Sequence, residues 1–255
     1  MRLHRFAVLM FLAVPLAAQE PIVTDRPDYV ESSLTVGRGV FQLETSAAAD
    51  RTSRAGMTAR TLSTPTLFRY GITPTLELRL ETDGYVHASA TGTTAQDGIA
   101  DAAVGVKWHG LDAAGARPAV AFLLHGDLPS GTRAFRTDGV RPSLRAVGEW
   151  ELPAGFGLGV MPGVVYDVAG NGTREWHALF GATFGHPITN DVRMYVEYAA
   201  DQLPLAHDQN TTAFFDVGTA WVLTTDIQLD LSAQFGLTPT STDQAFALGF
   251  SRRFR

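Results

Sequence analysis

The sequence predicts an all-β fold: a single antiparallel transmembrane β-barrel of about 12 strands, with both termini periplasmic. Three observations carry this. From Val40 to Phe254, segments of roughly ten residues, the length a tilted strand needs to cross a bilayer, alternate apolar and polar side chains. In the stretch from Ile227 to Phe235, Ile227, Leu229, Leu231 and Phe235 fall on one face and Gln228, Asp230 and Gln234 on the other, because successive strand side chains point to opposite sides. The connectors are alternately long and short, the order of an even-stranded barrel with short periplasmic turns and longer outer loops. Trp108, Trp150, Trp176 and Trp221 take the apolar parity near strand ends, where amphipathic rings settle at the headgroup level. Phe41, Tyr70, Phe156, Tyr166 and Tyr198 are expected to join these girdles. A soluble β-sandwich would alternate equally well, but its strands average about five or six residues and it has no reason to place tryptophans at strand ends.

The elements follow in chain order. Arg2 and Arg5, the apolar run Phe6 to Leu16 and the small pair Ala17-Ala18 read as a secretory signal over residues 1–18. Residues 19–37 are a periplasmic leader or a lumen plug, and 38–255 the transmembrane barrel. Strands are expected near 38–49, 60–72, 75–85, 97–109, 118–128, 141–152, 156–167, 175–186, 191–200, 212–223, 226–237 and 245–254. Tight turns at Thr73-Pro74, Leu111–Ala116, Pro153–Gly155, Pro187–Asn190 and Thr224-Thr225 alternate with longer polar loops around 50–59, 86–96, 129–140, 168–174, 201–211 and 238–244. Pro65 and Pro162 lie inside expected strands, where a missing N–H predicts a bulge or a break.

Composition narrows the function. Without Arg2 and Arg5 the basic residues fall from 20 to 18 against 26 acidic ones, a net charge of −8, which disfavours a nucleic-acid partner. The absence of cysteine excludes disulfides, zinc-thiolate sites and a thiol nucleophile, and suits an exported chain. The expected setting is the outer membrane of a Gram-negative bacterium. The partners are then outer-membrane lipid, the barrel-assembly machinery and a small-molecule solute, with no cofactor.

Thr24-Asp25-Arg26-Pro27-Asp28-Tyr29-Val30-Glu31-Ser32, Thr35-Val36 and Gly39-Val40-Phe41-Gln42-Leu43-Glu44 form a distinctive run. With Phe68–Thr73, Leu76–Arg79 and Asp101–Lys107 it resembles the outer-membrane transporter family associated with the meta-cleavage pathway of phenol degradation. The resemblance covers nearly the whole mature chain. It implies a barrel moving small compounds, aromatic or hydrophobic ones among them. One departure is that Phe254 is penultimate and Arg255 follows, whereas such barrels usually finish on an aromatic residue.

On the polar parity the barrel encloses Glu44, Arg69, Glu77, Arg79, Glu81, Asp101, Lys107, Asp127, Arg145, Glu149, Glu151, His177, Arg193, Glu197, Asp216 and Asp230. Charges inside a barrel need water or partners, and Glu77 and Arg79 are placed to pair. The reading is a polar, mildly acidic conduit for passive uptake, against a salt-bridged core that merely closes the barrel. The segment Thr24–Ser32, with Asp25, Arg26, Pro27, Asp28 and Glu31, is expected to fold into the lumen as a gate, Arg26 meeting Glu44 or Glu81. A non-transporting structural or adhesion barrel is the alternative, followed by an outer-membrane esterase or phospholipase. The latter rests on His87-Ala88-Ser89, a base and nucleophile two residues apart that parity puts on the inward face or in an outer loop. No Asn or Asp partner for it can be picked from sequence. His109, His125, His177 and His186 show no metal-ligand spacing, and no enzymatic activity is expected.

Overall fold

The computed structural model describes residues 20–168, 172–206 and 209–255. The expected signal 1–18, the tip 169–171 of the loop 168–174, and residues 207–208 lie outside the described residues.

Among the described residues there are 15 strands: β1 (Phe41–Arg54), β2 (Met57–Ser63), β3 (Thr66–Thr73), β4 (Leu76–Thr82), β5 (Tyr85–Ala90), β6 (Gln96–Ile99), β7 (Ala102–Leu111) and β8 (Ala119–Leu128) come first. They are followed by β9 (Arg141–Glu151), β10 (Gly157–Val168), β11 (Arg174–Pro187), β12 (Val192–Pro204), β13 (Thr212–Thr224), β14 (Ile227–Gly236) and β15 (Gln244–Phe254). Twelve of them close a barrel in the order β1, β3, β4, β7 and then β8 to β15, every pair antiparallel. Closure is made by β1 on β15, in unbroken register from Phe41 opposite Phe254 to Arg51 opposite Gln244. The penultimate Phe254 thus takes the last paired position, its ring 5.7 Å from that of Phe41.

The other three strands prolong the wall on the long-loop side. β2, β5 and β6 continue β3, β4 and β7 beyond interruptions at Thr64-Pro65, Asp83-Gly84 and Ala100-Asp101, and pair with the outer half of β1 and with one another. Pro65 supplies no N–H to the ladder. Gly84 adopts φ 63°, and a side chain there would meet Thr64, so the two interruptions lock together. The break expected at Pro65 is therefore present. The loop expected at 50–59 is not, and the one expected at 86–96 shrinks to 91–95 between β5 and β6: β1 and β2 meet in a two-residue turn at Ala55-Gly56, both with positive φ (48° and 80°), as a hairpin of matching twist requires. β12 likewise runs to Pro204, into the expected loop 201–211. Pro162 breaks nothing. β10 is continuous, and its pairing with β9 lapses only between Val160 and Gly163, with the register kept.

The outer surface is an apolar band. Leu78, Leu124, Leu144, Leu231 and Leu248 are between 47% and 60% exposed, the exposure of a face meant for lipid. Trp108, Trp150 and Trp221 sit at the short-turn end of their strands, with Trp176 and Tyr166 paired at 4.8 Å at the opposite end. Aromatic rings therefore mark both rims, with most of the tryptophan on the periplasmic side.

Candidate functional site

The inward positions of β1, β3, β4, β7, β8, β9, β12, β13 and β14 carry the charges, and the segment from Ile22 to Val36 is bonded to them. Wall carboxylates hold its backbone. Glu44 accepts the N–H groups of Asp25 and Arg26 at 2.9 and 3.0 Å, and Glu197 those of Tyr29 and Val30 at 2.7 and 2.8 Å. Glu149 accepts from Ser33 at 2.6 Å and Glu77 from Val36 at 2.9 Å. The segment has little regular structure, so its N–H groups would otherwise be buried without acceptors.

Wall cations hold its side chains. Asp25 is 4% exposed and lies 2.6 Å from Nζ of Lys107, with Arg79 on the same oxygen and Arg69 at 3.3 Å. Burial pushes its carboxyl up, but Arg69, Lys107 and Arg79 outweigh that and hold it well below the usual carboxylate range. Glu31 is paired with Arg79 at 2.8 Å and Arg145 at 3.0 Å, and Asp28 with Arg193 at 3.2 Å. Within the wall, Arg69 bonds Glu44 and Glu77, and Arg79 bonds Glu77 and Glu81. Every one of these pairs joins different strands or spans the segment and the wall, except Glu77, Arg79 and Glu81, which are successive inward positions of β4.

Arg26 differs from expectation. Its guanidinium donates to Ser46 at 2.8 Å; its backbone, not its side chain, meets Glu44, and Glu81 is taken by Arg79. Asp101 also differs. It accepts from Gly131 and Thr137 at 2.7 and 2.8 Å, tethering the loop 129–140. Asp127 pairs with Arg141 at 2.8 Å near the outer mouth, whereas Glu151 is exposed at the periplasmic mouth. Asp216 and Asp230 are buried and take part in no ion pair among the described residues; Asp216 accepts the Tyr195 hydroxyl at 3.1 Å. Apolar support is small: Val30 packs with Leu123, Val147, Met161 and Leu179, and the Tyr29 ring lies against that cluster and edge-on to Phe214 at 5.6 Å.

Cavities flank the segment. One of about 630 Å³ opens among the short turns, lined by Ile22, Val23, Leu34, Leu158, Val222 and Glu149 among others. Two of about 400 and 380 Å³ lie on the long-loop side.

Two arrangements were not legible in the sequence. Glu31, Glu81 and His125 bring potential donor atoms within 4.8 Å of one another from the segment, β4 and β8; Arg79 already bridges the two carboxylates, so the cluster reads as part of the ion network. His87 and Ser89 lie on β5, on the parity opposite the buried Val86, hence on the outer face rather than inward. His87 also has an acidic partner, Asp97 on β6, 2.8 Å from Nδ1. No hydrogen bond joins His87 to Ser89 among the described residues, so the nucleophile is not activated in this geometry.

Comparison with solved structures returns outer-membrane barrels. The COG4313 outer membrane channel from Pseudomonas putida F1 aligns with a TM-score of 0.65 at 12% identity, over 88% of this chain and 98% of that one. The translocator domain of the autotransporter NalP from Neisseria meningitidis gives 0.55 at 13% identity, over 86% and 89%. The NanC porin gives 0.52 at 11% identity, over 82% and 98%. At such identities the likeness is one of fold. No curated protein matches the sequence. The family described as "Putative MetA-pathway of phenol degradation" matches residues 24–254, nearly all of the barrel and its inner segment, and the chain belongs to that family.

Proposed function

We propose that this protein is an outer-membrane channel for passive uptake of small solutes, with the segment Thr24–Ser32 as its gate. The observation that carries the reading is the docking just described: a closed barrel whose inward carboxylates and cations are matched to the backbone and side chains of one short segment. A barrel needed only as a wall or a loop scaffold gains nothing from such an interior. Packed apolar residues would fill it without the cost of desolvating charge. Family membership, and the fold shared with a Pseudomonas putida barrel known as a channel, favour transport. The family's association with phenol degradation favours aromatic or hydrophobic cargo. The lumen-lining set is Glu44, Arg69, Glu77, Arg79, Glu81, Lys107, Asp127, Arg145, Glu149, Glu151, Arg193, Glu197, Asp216 and Asp230.

The test is conductance in planar bilayers. The intact protein is expected to conduct poorly, and deletion of Thr24–Ser32 to raise the conductance. A truncated barrel that inserts correctly yet stays electrically silent would refute the conduit and favour the structural reading.

A further inference from the structure

The inner segment is not held evenly. Asp25 and Glu31 face Arg69, Arg79, Lys107 and Arg145 on β3, β4, β7 and β9, and Asp28 faces Arg193 on β12, whereas the long-loop halves of β13, β14, β15 and β1 leave open space beside the segment. The inward residues there include Ala48, Ala245 and Ala247, and they bound the cavity of about 380 Å³. A cavity of that size accommodates a small organic molecule.

Its charges are unusual for this interior. Asp50, Asp83 and Asp216 line it, Arg26 is its one lining cation, and none of the three carboxylates takes part in an ion pair among the described residues. Asp216 is 5% exposed and its Oδ1 has no hydrogen-bond partner. On the neighbouring β14, one inward position deeper than the lining residue Ser232, Asp230 is 4% exposed with both oxygens unpartnered. Elsewhere in this lumen the buried carboxylates are answered by an Arg, a Lys or backbone N–H groups. Here three carboxylates share a single lining cation, Arg26, and border open space, and a buried carboxylate is stabilised by a further cation that can reach it. Phe135, whose ring packs on Gly98, lines the same cavity and offers a π-face to such a cation.

The geometry points to a solute-binding antechamber for small organic ammonium ions: a protonated amine on a compact apolar or aromatic body. The ammonium group would sit between Asp216 and the Asp50 and Asp83 carboxylates, and the body against Phe135 and the alanine wall. The route past the segment then runs along β13 to β15 and β1, towards the more apolar periplasmic cavity. This rests on the channel reading and narrows its cargo.

The experiment pairs binding with transport, using the full barrel. Calorimetry in detergent micelles compares phenethylammonium with phenethyl alcohol, phenylacetate and plain ammonium chloride. Phenethylammonium is expected to bind about tenfold or more tightly than the other three, the scale of a hydrogen bond to a charged group. Asp216→Asn should remove that preference while heat-modifiable mobility stays normal. Equal binding of the neutral alcohol or of bare ammonium, or an unchanged preference in Asp216→Asn, overturns the proposal. The ligand series on the unaltered protein decides the question even if the variant fails to fold. Liposome swelling separates the two readings. Swelling with uncharged solutes but no ammonium preference in binding sinks this inference and leaves the channel standing. Ammonium-selective binding with no swelling by any solute keeps the site and sinks the channel.

Discussion

Asp25→Asn isolates the charge that docks the inner segment. The substitution keeps the side chain's shape and an oxygen for the Ser32 N–H, which donates to Asp25 at 2.9 Å, but removes the anion. Lys107, fully buried, is then left with Glu31 at 3.6 Å and the Ser32 carbonyl at 2.8 Å. Arg79 and Arg69 lose a partner as well. Stripping the counter-charge from a buried ion costs about 3–5 kcal/mol. The barrel's own ladders do not involve Asp25, so that cost falls on the equilibrium between docked and released segment. At about 1.4 kcal/mol per factor of ten, the docked fraction should fall relative to the released one by roughly two to three and a half orders of magnitude. In planar bilayers Asp25→Asn is therefore expected to conduct more than the parent protein, towards the level of the Thr24–Ser32 deletion. The amides of Tyr29 and Val30 should exchange faster. Heat-modifiable mobility should not change, because the barrel is intact. Adding Lys107→Met should recover part of the closed state, since removing both members of a buried pair is far cheaper than stranding one. Parent-like conductance and parent-like amide protection in Asp25→Asn would refute the view that this ion cluster holds the segment.

Three further expectations bear on the barrel, the pore and the outer face. Leu231, 53% exposed at mid-strand, faces lipid: Leu231→Arg should cost about 2–4 kcal/mol and impair assembly on unboiled gels. Ser232→Arg points into the acidic cavity and should be tolerated, so equal behaviour of the two would overturn the facing assignment. Reversal potentials of the truncated pore should show a mild cation preference that fades as salt rises, because an excess of acidic over basic side chains in a narrow lumen concentrates cations and screening shortens its reach; an anion preference would contradict it. Ser89→Ala and His87→Ala should leave ester and phospholipid hydrolysis at background, and a background-subtracted activity lost in both variants would instead establish the hydrolase reading.

The barrel was legible because its signal is local. Period-two alternation, turn chemistry and connector length are written within ten or fifteen residues of one another, and they place the inward parity of Glu77, Lys107, Glu197 and Asp230 without any knowledge of neighbours. Which charges meet was not legible. Asp25 and Lys107 are 82 residues apart and Tyr29 and Glu197 168 apart, and only closure of the sheet brings them together. The same holds for His87 and Asp97, whose contact depends on β5 and β6 pairing where the alternation alone reads as loop. Pro65 and Pro162 show the limit in one comparison. Both remove a ladder donor, but the strand breaks only at Pro65, where Gly84 and Thr64 on the adjoining stretches turn away together. At Pro162 the unbroken ladder to β11 carries the strand across.

The distribution of charge within the lumen is what the proposed gate would require. A segment docked by apolar packing would leave an apolar wall exposed to water whenever it moved, and the wall would then favour collapse rather than conduction. Here the apolar contribution is small, chiefly Val30 and the Tyr29 ring, and most of the rest is ionic or backbone-to-carboxylate. Each such contact can be exchanged for water when the segment leaves, so the opened wall is already wettable. Placement is directional as well. The acids Asp25 and Glu31 turn towards the basic strands β3, β4, β7 and β9, while Arg26 turns towards β1 and the acidic chamber beside it. A shift in register or a rotation of the segment would set like charges against each other, and the desolvated lumen makes that penalty large. Charge complementarity therefore specifies one docked pose, which would suit the proposed gate, since it must close in one position and still let go.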